Sequence, residues 1–458
     1  MIRLALAAFA LLCGAAAAAR KPVGLDAALR QLEREHKFSG AVVIRGAEGV
    51  RFARGYGMAD PFNGRRFTSD TPVDSGSLAK PVTAAAVLTL ARDGKVDLDS
   101  PVRRYLPEYP HPQTLVRHLL AHSAGLAFED SAEALAGKSN QALLVDASGR
   151  PPLFAPGSGF EYCNLCYSTL ALLIERVSGS HYLTFVRERA ALPPGVTLRP
   201  ARLAEWKGRA IGFRRTPAGT LERADSYEDE RFYGTANLSI SAAQLARWGA
   251  QWWAPRLASV RPMATTPATI AGKTSGATWG NWYCAPTRRQ CHYLGHHEGF
   301  HHILYWDADR RISVAMVSNN TLAPGLQQRL QRALVAFAQG RPTDGRRELS
   351  EVLADEPVST GAYKFLTGER VVVASAGRRV SIERRGIVYP AYLIGTGIRY
   401  VPGLDVYIAG AAGGRLHWLS LYEDFTAVPS KRTAVAKITK TDGRSAAAAL
   451  ASRGLIPA

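Results

Sequence analysis

Apolar positions recur at helical spacing over residues 25–36, where Leu25, Ala28, Leu29 and Leu32 share one face. The pattern then changes to strand-like runs, Gly40-Ala41-Val42-Val43-Ile44 and residues 50–56, facing each other across a glycine turn. An alanine-rich stripe through Val82, Ala86 and Leu90 predicts a helix that opens near Ser77 and stops at Gly94. Residues 101–107, bounded by proline, read as irregular, and further helices are expected over 115–122, 167–177, 242–253 and 326–339. Strands are expected at 278–284, 303–306 and 312–317, with Lys273-Thr274-Ser275-Gly276 left as a loop before them. Beyond Gly340-Arg341-Pro342 the chain becomes a series of short β-branched or alternating runs separated by glycine, which predicts a small antiparallel β domain.

The two ends add a compartment. Residues 1–19 carry Arg3, an apolar core from Leu4 to Leu12 and a run of alanines, the layout of a secretory signal peptide, so a periplasmic or secreted protein is expected. Leu12 precedes Cys13 where lipid attachment would require a small residue, so the expected product is soluble rather than anchored. No other stretch has the 18 or so consecutive apolar residues of a membrane span, and no transmembrane segment is expected in the mature chain. Four cysteines remain in the mature chain, and short separation favours Cys163 with Cys166 and Cys284 with Cys291, one of three connectivities. A redox or zinc role for the CxxC pair lacks the second CxxC or HxxxH that such sites use.

With 458 residues, two domains are the default. The formal charge of +19 draws the protein toward anions, which for an exported chain means cell-wall polymer, phospholipid head groups or acidic substrates. Nucleic acid is not an expected partner, because the basic residues are dispersed and form no compact block interleaved with aromatics.

Three polar constellations carry candidate chemistry. In Ser77-Leu78-Ala79-Lys80 a spacing of three puts hydroxyl and amine on one helical face about a turn apart, a way to activate serine without histidine. Pro81 is tolerated because it falls near the first turn. Tyr162-Cys163-Asn164 stands before a helix N-terminus, whose positive potential favours a phenolate, and Asn164 offers amide donors. Gly295-His296-His297-Glu298-Gly299-Phe300-His301-His302 has enough histidines for a metal, yet strand alternation keeps 297 and 301 from converging with 296 and 302 on one ion. No metal or cofactor is expected; such a strand instead suits a backbone donor to an oxyanion and a polar contact to substrate.

Taken in order, these segments resemble the serine β-lactamase-related hydrolases, closest to the branch of class C β-lactamases, D-alanyl-D-alanine carboxypeptidases, D-aminopeptidases and esterases. His118-Leu119-Leu120-Ala121-His122-Ser123-Ala124-Gly125-Leu126, the Gly94 to Pro101 segment and Asn237-Leu238-Ser239-Ile240-Ser241 resemble further conserved stretches of that branch. The resemblance spans about 25 to 340. It implies an α/β fold: an antiparallel sheet flanked by helices plus an all-helical region, over 20–342, followed by a β-rich domain over 343–458. It also implies an acyl-enzyme on Ser77, with Lys80 and Tyr162 sharing proton transfer and Asn164 orienting a substrate amide. The oxyanion would lie between the Ser77 amide and an amide of 297–300. The substrate it implies is a small molecule or peptide: a D-amino-acid-containing amide, an ester or a β-lactam. A catalytically silent wall-binding protein is the alternative. The third motif departs from the family pattern: aligned from the left His296 fills it, whereas the literal HxG is His297-Glu298-Gly299, so His296, His297 and Gly299 all stand as substrate-binding candidates.

Overall fold

The structure is a computed structural model that describes residues 24–341, Leu349 and 358–430, apart from 128–134, 217, 226–230, 298, 324, 366–368, 377–378, 394–396, 402–403, 405, 412–413 and 420–423. The leader expected over 1–19, with Cys13, lies outside these residues.

Helix α1 (Leu25–Arg34) leads into the hairpin β1 (Gly40–Gly46) and β2 (Gly49–Tyr56). These strands join an eight-stranded antiparallel sheet whose other members come from much later in the chain. They are β6 (Pro267–Ile270), β7 (Lys273–Thr278), β8 (Tyr283–Cys284), β9 (Gln290–His297), β10 (Phe300–Asp307) and β11 (Ile312–Ser318), in the order β6-β7-β8-β9-β10-β11-β1-β2. Both faces of the central strands are buried, which is why β10 and β11 read as near-continuous apolar runs. Val42, Ile44, Ile303 and Met316 pack on one face beneath α1 and the late helix α9 (Leu326–Ala338). Ala41, Val43, Leu304 and Val317 face the opposite, mostly helical layer. That layer contains α2 (Ala79–Arg92), α3 (Val116–Leu120), α4 (Asn140–Ser148), α5 (Asn164–Ser178), α6 (Tyr182–Arg189), α7 (Ala242–Ala250) and the short α8 (Pro255–Ala258). A small sheet of β3 (Val73–Asp74), β5 (Leu238–Ile240) and β4 (Thr197–Leu198) ties the layer together, with β5 in the middle.

Three expectations need correcting in detail. Residues 273–276 form part of strand β7 rather than a loop. Pairing with β6 and burial of Ser275 and Ala277 on alternate positions override the weak strand preference of Lys273 and Gly276. Conversely, the strand expected to run through 278–284 is interrupted at Asn281, whose φ of 59° turns the chain before β8. The helix expected from 167 begins earlier, at Asn164, because Cys163 caps it by accepting the Cys166 amide at 3.0 Å. Both local disulfides are present, Cys163–Cys166 and Cys284–Cys291.

The C-terminal runs close into a barrel of eight antiparallel strands in sequence order. These are β12 (Gly361–Lys364), β13 (Arg370–Ala376), β14 (Arg379–Arg384), β15 (Ile387–Leu393), β16 (Arg399–Val401), β17 (Val406–Ala411), β18 (Arg415–Leu419) and β19 (Asp424–Ser430). Its packed core includes Val371, Val373, Ile382, Val406, Ile408 and Trp418. Among the described residues no helix is long and apolar enough to cross a membrane.

Ser241 and Gln244 form a capping box that starts α7, which carries Trp248 on its buried face. Trp252 stacks on Trp306 at 5.4 Å and meets Trp248 and Trp282 edge-on, so four fully buried indoles bridge the helical layer and the sheet. Trp252→Ala is expected to cost about 3–5 kcal/mol in urea unfolding through the cavity it leaves. A loss under about 1 kcal/mol would mean the indole cluster is not an anchor of this layer.

Candidate active site

Ser77 lies in a single 3-10 turn, Gly76–Leu78, between β3 and α2, so α2 proper starts at Ala79 and Pro81 falls in its first turn as expected. Gly76 has φ of +47°, and a Cβ there would come within 2.5 Å of the His296 carbonyl oxygen. Glycine is therefore what lets the turn lie against the end of β9. A Cβ at Gly295 would in turn meet Leu78 at 2.9 Å.

One turn after Ser77, the wholly buried Lys80 donates from Nζ to Ser77 Oγ at 3.1 Å and to the Thr235 carbonyl at 3.1 Å. The Tyr162 hydroxyl is hydrogen-bonded to the same Oγ at 2.8 Å, and Lys80 Nζ sits 4.8 Å from the centre of its ring. Tyr162 is held from three sides. Its ring stacks on His122 at 4.7 Å; the next amide, that of Cys163, donates to His122 Nδ1 at 3.0 Å; and the Cys163–Cys166 bridge closes the turn that follows.

Burial pushes the Tyr162 phenol up, but the Lys80 charge, together with hydrogen bonds from Lys80, Ser77 and Tyr293, outweighs it and leaves the group below its ordinary value. Tyr293, 3.3 Å from the Tyr162 oxygen, is shifted the other way by burial and by the negative charge that Tyr162 can carry. Of the two phenols, Tyr162 is thus the one to ionise and Tyr293 the one to donate. His122 is held down to about 3 by burial and by the Lys80 charge, so it stays a neutral platform. The arrangement offers a phenolate-forming group and a cation on one serine hydroxyl.

The histidine cluster divides between the two faces, but not as expected from alternation along one strand: the hairpin between β9 and β10 groups His296 with His301 and His297 with His302. Tyr293, Gly295 and His297 face the helical layer and the Ser77 turn, whereas His296 faces α9, where it is hydrogen-bonded to Gln327. His296 and His301 lie together on that far side at 5.0 Å. On the near side, His297 Nδ1 lies 3.4 Å from Asp74, and His302 is hydrogen-bonded to the Asp74 carbonyl. Of the two histidines in the shortened motif, His297 is the one beside Ser77. His297 pairs with Phe300 across a tight hairpin in which Gly299 has φ of +72°. Asn164 lies at the start of α5, its Oδ1 accepting from Thr235 Oγ1 at 2.8 Å.

Asp74, Arg199, Thr235 and Tyr293 escaped the reading from sequence. Asp74 is fully buried, paired with the equally buried Arg199 at 3.0 Å, and it accepts the Gly76 amide at 2.8 Å. Burial alone would raise its pKa, but His297, Arg199 and the Gly76 amide hold it below the ordinary carboxylate range. Thr235 contributes a backbone carbonyl that no motif marks, and Arg199 comes from a loop. Only Tyr293 left a signal, two and four residues before Gly295 and His297 on the same strand face.

The barrel touches this site. Tyr389 packs on Phe160 at 5.5 Å, Tyr392 donates to Glu161 at 2.9 Å, and Tyr400 meets His296 edge-on at 5.7 Å. The segment leading into Tyr162 is therefore clamped by the C-terminal domain.

The sequence pattern that defines the Beta-lactamase family matches residues 25–338. Esterase EstB of Burkholderia gladioli is 34% identical over 208 residues, covering 39% of this chain and 53% of the esterase. Penicillin-binding protein 4* of Bacillus subtilis is 28% identical over 180 residues, 38% of this chain and 40% of its own length. The matched stretches thus span about half or less of these relatives. In fold, the chain is similar to the octameric penicillin-binding protein homologue from Pyrococcus abyssi, with TM-score 0.60 and 19% identity over 85% of this chain and 93% of that one.

Asp74→Asn strips Arg199 of its buried counter-charge and is expected to cost about 3–5 kcal/mol. Because the folded pKa of Asp74 is depressed, its contribution is fully present above about pH 4, the unfolded value, and is lost as pH falls below that. The gap in unfolding free energy between wild type and Asp74→Asn should shrink between about pH 4 and 2. A gap that stays constant over that range would exclude an ionised Asp74.

Proposed function

Because the chain belongs to the Beta-lactamase family of serine hydrolases, we propose that it forms an acyl-enzyme on Ser77 and hydrolyses a short D-amino-acid-containing amide or an ester, acting after export. The observation that carries this reading is the convergence of Tyr162 at 2.8 Å and Lys80 at 3.1 Å on one serine oxygen.

In the proposed cycle Tyr162, as phenolate, accepts the Ser77 proton while Oγ attacks the carbonyl carbon. Lys80 remains a cation, stabilising the phenolate before attack and the hydroxyl dipole after it. The developing oxyanion takes hydrogen bonds from the Ser77 amide and an amide of the 297–300 turn. Asn164, oriented by Thr235, donates to the substrate carbonyl, and His297, backed by Asp74, contacts a polar or anionic group of the substrate. Tyr162 then returns its proton to the leaving amine or alcohol and activates the water that releases the acyl group. Esterase EstB and the penicillin-binding protein relative bracket the acyl-transfer chemistries considered. The D-amino acid amidase from Ochrobactrum anthropi, with TM-score 0.54 and 17% identity, shares the fold. A barrel packed against residues 160–162 and His296 favours short substrates over long polymers. The two disulfides and the signal-like leader sequence support export.

A fluorescent fluorophosphonate should label wild type and not Ser77→Ala; equal labelling of both would remove the acyl-enzyme. Tyr162→Phe should lower kcat on a short D-peptide or acyl ester by about 100- to 10,000-fold with KM little changed. The wild-type rate should climb with pH to a plateau whose midpoint lies below 10, the ordinary tyrosine value. A Tyr162→Phe variant that keeps the wild-type rate and pH profile would transfer the base role elsewhere.

A further inference from the structure

At the end of the sheet away from Ser77, a cavity of about 380 Å³ opens between β1, the start of the loop after α6, and α7 and α8. Three arginines line it: Arg45 from β1, Arg247 from α7 and Arg256 from α8. Arg45 pairs with Ser313, whereas the end of β1 nearer the site, Gly40, pairs with Ser318. Five residues of strand, roughly 17 Å, separate those levels, so the cavity is distinct from the site of the Ser77 chemistry.

The charge balance of this cavity is one-sided. No acidic residue lines it, and among the described residues no carboxylate pairs with any of the three guanidiniums. Arg45 is half-buried at the floor, and its Nε is buried without a hydrogen-bond partner. Burial and the facing Arg247 charge both work against the Arg45 cation, a cost that no carboxylate among the described residues offsets. The carbonyls at the nearby helix ends are taken: Val186 accepts from Ala190 and Leu192, Ala250 from Trp253, and Gln251 from Ala254. The remaining wall is preformed, since Ala191 turns the chain at φ of +55° into Pro193-Pro194.

We propose that this cavity is an anion site for a phosphate group, as a free ion, a monoester or the diester of a head group. Planar guanidinium forks match tetrahedral oxyanions through paired N–H donors, and one bound phosphate would neutralise the facing charges. The cavity is open, so the rest of an esterified ligand can extend into solvent.

The test uses the full chain, melted in increasing sodium phosphate or glycerol 3-phosphate against sodium chloride at equal ionic strength, and co-sedimented with phosphatidylglycerol or phosphatidylcholine vesicles. Wild type should show a saturable rise in melting temperature with the phosphate compounds and not with chloride. Arg247→Gln, at an exposed position that tolerates change, should bind at least tenfold more weakly while fluorophosphonate labelling of Ser77 is unchanged. Arg247→Lys, which keeps charge without the fork, should fall between the two. Phosphatidylglycerol binding that Arg247→Gln loses would support the site with a lipid head group as source; a response to soluble phosphate alone would support it with a free ligand. Equal responses to phosphate and chloride without vesicle binding would overturn the proposal, as would a phosphate response untouched in Arg247→Gln and Arg45→Gln.

Discussion

A single buried carboxylate holds the geometry of this site together. Asp74 has no exposure to solvent, yet it remains ionised because Arg199, His297 and the Gly76 amide surround it. Its own carbonyl is hydrogen-bonded to His302 on β10. One residue thus fixes the turn that presents Ser77, the end of β9 and the loop carrying Arg199. An ion buried this deeply is costly unless every partner is in place, so the arrangement tolerates few alternatives. That intolerance is what makes the position of Ser77 definite.

Around this anchor the acidity of the Tyr162 phenol is set by burial and by the charge and hydrogen bonds beside it. Lys80, fully buried beside Tyr162, lowers the phenol and keeps His122 neutral. Tyr293 lies within hydrogen-bonding distance of the Tyr162 oxygen, and Asn281 donates to Tyr293 at 3.3 Å. The site therefore has a gradient of phenol acidity across neighbouring tyrosines, created by which of them faces the ammonium.

Local pattern made much of this legible. The Ser77 and Lys80 spacing, the extended Tyr162 before a helix, the apolar runs of the central strands and the short β-runs after 340 all express themselves within a few residues. Alternation along a single strand grouped His297 with His301 and His296 with His302, whereas the hairpin between β9 and β10 resets the count and puts His296 with His301 on one face and His297 with His302 on the other. What stayed hidden depends on contacts far apart in sequence. Thr235 serves through a backbone carbonyl 155 positions from Lys80, and Arg199 reaches Asp74 from a loop with no motif. Strand β7 was misread because its lysine and glycine hide a pairing that only β6 and β8 supply. The choice between His296 and His297 could not come from alignment of a shortened motif, since it turns on which side of β9 meets Gly76.

The placement of the barrel has a consequence for solubility. The eight-stranded sheet is open, and its rims are β6 and β2. Rim β2 is guarded by its own chemistry, with Arg51 and Arg54 toward solvent. Rim β6 lacks such charges; instead Ile270 is buried in the barrel's core cluster, and Lys273 just beyond it donates to the Gly386 carbonyl at 3.4 Å. A closed barrel has no rim of its own to expose, so it can cover that strand without creating another sticky edge. The appended domain thereby leaves the sheet one rim, β2, for edge-to-edge association to use, and that rim carries its own charges.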